Sequence, residues 1–363
     1  MSFRYDLERQ LASQRITGHG SQFNSLENNP GLNLVAIGGG TGLSTLLAGL
    51  KRLVGKPEQG GLWIENLSAI VTVSDDGGSS GRLRDELQML PPGDIRNCMI
   101  ALSEDSTLLS RLFRHRFRGS GELGGHSFGN LFLAALTEVT GDFVEAVRLS
   151  SEVLASKGHI FPATINDVRL VAELEDGTAV RGETQISASH SAIRSLHLEP
   201  EHCLPLPGAL AAISAADLIT VGPGSLYTSI LPNLLVSQVA RVIGESSATK
   251  VFISNLMTQP GETDGYTARQ HLDTVRQYAP EIHFDFVIVN NRRISDEQAE
   301  RYAAEGARQI GLNEPIDNAL NGDTEVIRAD LLDEGEKVRH NSARVAQVVV
   351  TCQERARLRS AVS

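Results

Sequence analysis

The residues of this chain best suited to chemistry lie in glycine-rich segments that directly follow apolar runs. The first segment reads GGGTG at 38–42, between the apolar run 33–37 and a leucine-rich stretch with helical spacing. Unpaired N–H groups and the helix dipole at such a junction favour an anion such as phosphate, and glycine lets the ligand approach the backbone. The pattern is neither the dinucleotide GxGxxG nor a P-loop, so a tight structural turn is the alternative. The candidate phosphate-binding residues are Gly39, Gly40, Thr41 and Gly42.

A second segment, SDDGGSSGRLR at 74–84, follows the apolar run 69–73. A nucleotide-binding fold places an acidic group against ribose hydroxyls at this position, which makes Asp75 the candidate for that role. Asp76 is a candidate Mg²⁺ ligand, because hard carboxylates suit that ion, although both carboxylates could simply cap a turn or a helix. A run this rich in N–H and hydroxyl donors indicates an anion-binding nest. Its candidate binding residues are Gly78, Ser79 and Ser80.

The segment PPGDIRN at 91–97 combines a helix-capping residue with two polar side chains. Asp94 is well placed to cap the helix that follows, and we expect capping to be its role. Arg96 and Asn97 are then free to reach a ligand.

The segment GHSFG at 125–129 matches the GxSxG nucleophile elbow of α/β-hydrolases. An elbow follows a strand, whereas residues 118–124 show neither alternation nor an apolar run, so esterase chemistry is disfavoured. We expect a helix N-terminus that presents His126, Ser127 and Asn130 to a pocket; the alternative is that Ser127 only caps the helix.

Two later loops complete the set of candidates. Residues 220–229 (TVGPGSLYTS) repeat the strand, glycine loop and helix order of the first segment, and two such junctions on one sheet suggest a diphosphate site. The polar loop 255–266 is either a connection or a substrate lid. The candidate ligand contacts here are Gly222, Gly224, Ser225 and Asn255.

The order of apolar runs predicts the architecture that must position these loops. Short runs that each end in a polar or glycine-containing segment are typical of a doubly wound, Rossmann-like α/β fold, with a mostly parallel sheet and helices on both faces. Residues 168–186 alternate about Asp176-Gly177 and predict a small antiparallel hairpin addition at about 165–187. The predicted strands are 33–37, 69–73, 217–221, 251–254 and 284–289.

Composition limits the classes of function. The chain has 363 residues, of which 41% are hydrophobic, and a net charge of −11, which works against a nucleic-acid or anionic-lipid partner. Its three cysteines show no metal-binding or disulfide spacing, and no apolar run approaches the ~20 residues of a membrane span, so we expect a cytoplasmic protein without membrane insertion. Three parts are predicted: a polar N-terminal extension at 1–31, a nucleotide-binding domain at 32–345 and a C-terminal helix or tail at 346–363.

Six ordered motifs together resemble the gluconeogenesis-factor (YvcK-like) family, which shares a superfamily with 2-phospho-L-lactate transferase. The resemblance covers about residues 33 to 345, but the N-terminal extension and the segment VGKPEQGGLWIEN at 54–66 are not family features. The motifs are GGGTGLS at 38–44, VTVSDDGGSSGRLR at 71–84, PPGDIRN at 91–97, GHSFGN at 125–130, GPGSLYTSILPNLL at 222–235 and NLMTQPGETDGYT at 255–267.

The resemblance implies a Rossmann-like fold that binds UDP-sugars, notably UDP-N-acetylglucosamine, or an NAD-like dinucleotide. It further implies a role in cell shape and cell-wall precursor supply on gluconeogenic carbon. By motif, the family's late ligand contacts correspond to Tyr302 and Arg339. Ser342 stands where some relatives carry a phosphorylatable threonine; we favour an ordinary solvent-facing serine.

Two functions from different classes follow. The first is a regulator that binds a nucleotide-sugar without turnover and conveys its level to a protein partner, as a homo-oligomer and with no required cofactor. The second is a Mg²⁺-dependent phosphotransferase or nucleotidyltransferase in which Asp75 and Asp76 hold the metal. An NAD-dependent oxidoreductase has no visible base for hydride transfer.

Overall fold

The computed structural model describes residues 31–57, 61–104, 108–189, 191–311 and 324–361. The predicted extension therefore lies outside the described residues except for Gly31, as do residues 58–60 of the unassigned segment 54–66. Within the described residues, no single helix is both long and apolar enough to cross a membrane; one pair bent by 78°, Leu226–Leu235 with Val239–Glu245, meets the length and composition requirement only jointly.

A seven-stranded parallel sheet forms the centre of the molecule, in the order β10-β9-β8-β7-β1-β2-β3. The middle strands are buried along nearly their whole length, as expected for a sheet covered by helices. The predicted fold class is thereby confirmed. The strands are β1 Leu32–Gly38, β2 Ile64–Val71, β3 His159–Pro162, β7 Leu218–Val221, β8 Thr249–Ile253, β9 Phe286–Asn290 and β10 Glu325–Ala329.

The chain order places a topological switch between β1 and β7. From β1 the chain adds β2 and β3 on one side and then crosses to β7, β8, β9 and β10 on the other. In open α/β sheets, ligands bind in the crevice beyond the carboxyl ends of the strands at such a switch. The loops after β1 and β7 both open into that crevice.

Helices surround the sheet. The first buries Leu43, Leu46 and Leu47, which are fully shielded from solvent, because their spacing places them on one face. The helices are α1 Gly40–Leu50, α2 Gly78–Leu87, α3 Gly93–Leu102, α4 Leu108–Arg114, α5 Phe128–Thr140, α6 Phe143–Val153, α7 Glu183–Ala188, α8 Pro207–Ser214, α9 Leu231–Leu235, α10 Val239–Glu245, α11 Ala268–Tyr278, α12 Asp296–Ala304 and α13 Ser342–Ser360.

A three-stranded antiparallel sheet decorates the main one. The predicted hairpin is present as β4 Arg169–Leu174 and β5 Ala179–Arg181, and β6 Ile193–Glu199 pairs with the other edge of β4. That third strand was not predicted. Helix α7 follows β5 and carries residues of this addition to the crevice of the main sheet.

The C-terminal helix belongs to the main domain. It begins at Ser342, four residues before the predicted tail, and Asn341 caps it by accepting a hydrogen bond from the Arg344 N–H. A Cβ atom on Gly49 of α1 would lie 1.9 Å from the Ser342 carbonyl oxygen, so the two helices touch backbone to backbone there. Glycine at that position allows α13 to pack onto α1.

Candidate functional site

A cavity of about 350 Å³ lies at the switch point, beyond the carboxyl ends of β1, β7 and β8. That volume lies at the small end of the range for small-molecule sites. Its walls come from five parts of the chain: the glycine loop and first turn of α1, two side chains of α7, the loop after β7, the loop after β8, and a segment before α13. The lining residues are Gly39, Gly40, Thr41, Gly42, Thr45, Glu183, Ser187, Pro223, Gly224, Ser225, Thr228, Ser229, Asn255, Leu256, Met257, Gln259, Glu262, Val338, Arg339 and His340.

The two glycine loops meet with backbone against backbone. A Cβ atom on Gly42 would lie 2.3 Å from the carbonyl oxygen of Pro223 and 2.9 Å from the Cα of Gly224, far inside ordinary contact distance. The Gly224 N–H donates a 3.1 Å hydrogen bond to Asn255 Oδ1, which ties the loop after β8 to this pair. Three predicted binding loops therefore form one continuous wall.

The chain after β7 begins with a π-helical turn, Leu226–Ile230, a geometry found frequently at functional sites. Ser225 caps this turn and donates its hydroxyl to Glu262, and Ser187 of α7 donates to the other oxygen of that carboxyl at 2.9 Å. Burial raises the pKa of Glu262, and the two serine hydroxyls oppose the shift. Glu262 thus joins the antiparallel addition to the loops of the main sheet.

Asp94 does not cap its helix, contrary to the sequence prediction. The position before α3 is Pro92, with no side-chain cap, and Asp94 Oδ2 instead accepts a 2.7 Å hydrogen bond from the Gly40 N–H. Burial, and then the negative charge of Asp75, raise the pKa of Asp94 to about 6. The Asp94 carboxylate thus accepts from an N–H group of the first glycine loop that would otherwise be available to a phosphate.

The two acidic residues after β2 face different ways. Asp76 Oδ1 accepts hydrogen bonds from the backbone N–H of Thr184, at 2.9 Å, and from its hydroxyl, at 2.8 Å, so Asp76 anchors α7. Asp75 Oδ1 accepts from Gly77 N–H at 2.8 Å. Burial, followed by the charges of Asp75 and Asp94, raises the pKa of Glu183 well above its ordinary value. Asp75, Asp94 and Glu183 thus form an acidic group beside the cavity.

Within the described ranges, no cluster of three or more histidine, cysteine or acidic side chains is arranged to hold a metal ion. Mg²⁺ needs fewer protein ligands, since one or two carboxylates and the substrate phosphates commonly suffice. Asp75 and Asp94 fit that requirement. Asp76, the residue predicted for the metal, accepts both Thr184 hydrogen bonds through Oδ1, and its role as a metal ligand stays a prediction.

Five predicted residues form a separate hydrogen-bond network outside the cavity lining. His126 Nδ1 and Ser79 Oγ lie 3.0 Å apart, and Asn130 donates to the same hydroxyl at 3.1 Å. Arg96 donates to Asn130 Oδ1 at 3.0 Å and to Asn97 Oδ1 at 2.6 Å. The next predicted residue, Ser127, caps α5.

Arg339 reaches the cavity on a loop that we call the strap, residues 331–341. Hydrogen bonds close it, from Asn341 N–H to the Leu331 carbonyl at 2.7 Å and from Asp333 N–H to the Arg339 carbonyl at 2.8 Å. Tyr302 of α12 does not line the cavity; its hydroxyl accepts a 3.1 Å hydrogen bond from the Val338 N–H. Tyr302 therefore positions the strap in this conformation.

Eight of the residues predicted from the sequence line the cavity, and several other lining residues were not predicted. Gly39 to Gly42, Gly224, Ser225, Asn255 and Arg339 line it, whereas Gly222, Gly78 and Ser80 are not part of its lining. The lining residues missed from the loop after β8, Glu262 among them, belong to the motif at 255–267. That motif could have indicated them as candidates. Glu183, Ser187 and His340 had none, because long-range packing alone brings α7 and the strap to the site.

Comparisons with known proteins show the family of this chain. The family model of 2-phospho-L-lactate transferase CofD matches residues 34–332. The chain is 46% identical to the gluconeogenesis factor of Bacillus subtilis over 318 residues, covering 87% of this chain and 96% of the relative. It is 44% identical to the gluconeogenesis factor of Halalkalibacterium halodurans, covering 88% and 95%. The chain belongs to the CofD family, with the gluconeogenesis factors as relatives.

A solved structure supports the same assignment. A crystal structure of a UPF0052-family protein from Bacillus halodurans superposes with a TM-score of 0.82 at 44% identity, covering 89% of this chain and all of that one. The CofD family match includes both glycine loops and the acidic group but ends before Arg339 and His340. The strap residues that line the cavity, Val338, Arg339 and His340, therefore lie outside the CofD family match.

Proposed function

We propose that this CofD-family member is a nucleotide-sugar-binding regulatory protein whose cavity takes a UDP-sugar such as UDP-N-acetylglucosamine, or a related dinucleotide. The observation that carries the proposal is the meeting of two glycine loops at the switch point, where Gly42 lies against Pro223 and Gly224. Two helix N-termini and their N–H groups then face one cavity, which suits a diphosphate. Arg339 adds a forked donor to the cavity lining.

The biological role proposed with this activity is that of the gluconeogenesis factors named above: support of cell shape and cell-wall precursor supply during growth on gluconeogenic carbon. In this role the protein acts in the cytoplasm, as a homo-oligomer, and conveys ligand occupancy to a protein partner. Binding requires no nucleophile.

The alternative is a Mg²⁺-dependent transferase of phosphorus-containing groups, favoured by one observation, the proximity of Asp75 and Asp94 to the glycine loops. Bound there, the metal would neutralise charge on a transferring phosphate. The chain's own residues would orient the diphosphate through the glycine loops and hold the metal through these two carboxylates. Release of nucleotide from UDP-sugars or GDP adducts in the presence of Mg²⁺ and acceptor compounds would favour this alternative.

Calorimetric titration of the protein with UDP-N-acetylglucosamine, UDP-glucose, NAD and GDP, with and without Mg²⁺, tests the regulator. We expect Arg339→Ala to weaken UDP-sugar binding roughly tenfold or more, because a charge-assisted hydrogen bond to the ligand is worth about 1.5–3 kcal/mol. Arg241→Ala, which removes an exposed arginine paired with Glu245 on α10, is the matched control. Binding of a guanine nucleotide alone, and only with Mg²⁺, would contradict the regulator.

A further inference from the structure

Three arginines gather around residues 124–130, outside the cavity lining. Arg82 donates to the Gly124 carbonyl at 2.8 Å, and Arg116 donates to the next carbonyl, that of Gly125, at 2.5 Å. A Cβ atom on Gly129 would lie 2.9 Å from the aliphatic stem of Arg96, which packs against the same segment. We call these three residues and His126 the arginine cluster.

The charge of this cluster is uncompensated by ion pairs. All three guanidinium groups bond to carbonyl or amide oxygens, and within the part of the chain that the structure describes none forms a salt bridge. Arg96 Nε is buried without a hydrogen-bond partner. Such an arrangement is unusual in a protein with a net charge of −11, because acidic partners are abundant.

Arg82 and Arg116 lie close to His126, because they donate to the carbonyls of the two residues that precede it. Burial, Arg82 and Arg116 lower the pKa of His126, and only Glu86 opposes them. A phosphate bound beside these arginines would favour the positively charged form of His126.

Open space and further donors lie beside the cluster. His126 is 5% exposed and is held by Ser79, which stands in the first turn of the ten-residue helix α2. The first N–H groups of a helix have no partner within it, and they favour a phosphate. At Gly78, no atom lies within 4 Å of the position where a Cβ would be, so this helix end is open.

We propose that the arginine cluster and the N-terminus of α2 bind a phosphate group, as a second anion site separate from the cavity. The proposal goes beyond the proposed function, since it holds whichever nucleotide the cavity takes. Forked arginine donors suit a phosphate better than they suit a halide, and the helix end completes the set of donors. The second site would take the phosphate of a further ligand while the cavity holds the first.

His126 provides a site-specific readout. We expect inorganic phosphate, compared with sodium chloride at equal ionic strength, to raise the pKa of His126 by about half a pH unit or more, because a nearby anion favours the imidazolium. The measurement is an NMR titration of the histidine resonances, with His126 assigned by its loss in His126→Gln. Phenyl phosphate separates two sources: an equal response identifies a phosphomonoester site open at Gly78, and a response to inorganic phosphate alone identifies a closed site.

Two variants decide the proposal. Arg116→Ala removes an exposed guanidinium, and Arg96→Gln removes a half-buried one. Each substitution should raise the phosphate concentration needed for the His126 response at least tenfold. Arg241→Ala should leave it unchanged. Thermal unfolding checks that each variant folds, and Arg116→Ala alone suffices if Arg96→Gln does not. An unchanged His126 titration in phosphate, or an equal response in Arg116→Ala, would overturn the site without bearing on UDP-sugar binding in the cavity.

Discussion

Replacing Gly42 with alanine should abolish nucleotide binding, with affinity falling more than about a hundredfold. A Cβ at this position would lie 2.3 Å from the Pro223 carbonyl oxygen and 2.6 Å from its carbon, so the two glycine loops must separate by about 1 Å. Both loops belong to the cavity wall, and their N–H groups then no longer converge on one diphosphate. Intrinsic helix propensity acts in the opposite direction, because alanine is favoured over glycine within a helix.

Gly121→Ala is the matched control for this substitution. Gly121 has no atom within 4 Å of its Cβ position and does not occupy the left-handed region, so alanine there should change neither binding nor stability. Calorimetric titration gives the affinity, and thermal unfolding separates a local separation of the loops from global unfolding. Binding by Gly42→Ala within threefold of the unsubstituted protein would contradict the wall described here.

The sequence predicted the fold and the glycine loops because both depend on local pattern. Apolar runs that end in a polar or glycine-containing segment identified five of the seven parallel strands, and the Asp176-Gly177 turn identified the hairpin. The role of Asp94 was mispredicted since capping is the common duty of an aspartate at a helix start, whereas its actual partner, Gly40, lies 54 residues away. No local pattern reports that contact. The contribution of helix α7 and the strap to the cavity was not predicted for the same reason.

The grouping of the predicted polar residues could not be predicted either. Ser79, His126 and Arg96 come from three helix beginnings, and the local composition of their motifs led us to assign them to one nucleotide site with Gly39. The structure separates them into a network outside the cavity lining, joined through Asn130. Which loop ends share a cavity depends on strand order, and strand order is a tertiary property.

Asp94 makes the second large prediction, because its carboxylate stands where a phosphate must approach. It accepts the Gly40 N–H at 2.7 Å, at the start of α1. A diphosphate on the glycine loops brings like charge close to it, and two unit charges 4 Å apart repel by about 4 kcal/mol at an effective dielectric constant of 20. Binding therefore needs either a proton on Asp94 or a divalent cation between the two groups.

The pKa of Asp94, raised to about 6, sets the expected pH dependence. Without metal, the bound state holds a proton that the free protein has lost above pH 6, so affinity should rise as pH falls from 8 to 6. Asp94→Asn keeps an oxygen that can accept from Gly40 but removes the charge. We expect it to bind UDP-sugar about ten to a hundred times more tightly than the unsubstituted protein at pH 8 without Mg²⁺, with little dependence on pH.

The charge of Asp94 should also make the free energy of unfolding depend on pH. The folded-state pKa of Asp94 lies above the unfolded value of 3.8, so the folded protein loses stability as pH rises through about 6. Asp94→Asn should therefore be more stable than the unsubstituted protein at pH 8, by about 2–3 kcal/mol, and equally stable below about pH 4. Denaturant unfolding at the two pH values measures this difference.

Asp142→Asn is the control, because Asp142 caps α6 away from the cavity and asparagine caps equally well.

Added Mg²⁺ then distinguishes two roles of Asp94: holding a metal ion, or opposing the ligand through its own negative charge. If the carboxylate serves to hold the metal, Mg²⁺ should tighten binding to the unsubstituted protein and not to Asp94→Asn. Metal-free binding that is independent of pH and weaker in Asp94→Asn would show that Asp94 acts as a hydrogen-bonding group of the loop, and that its charge does not oppose the ligand.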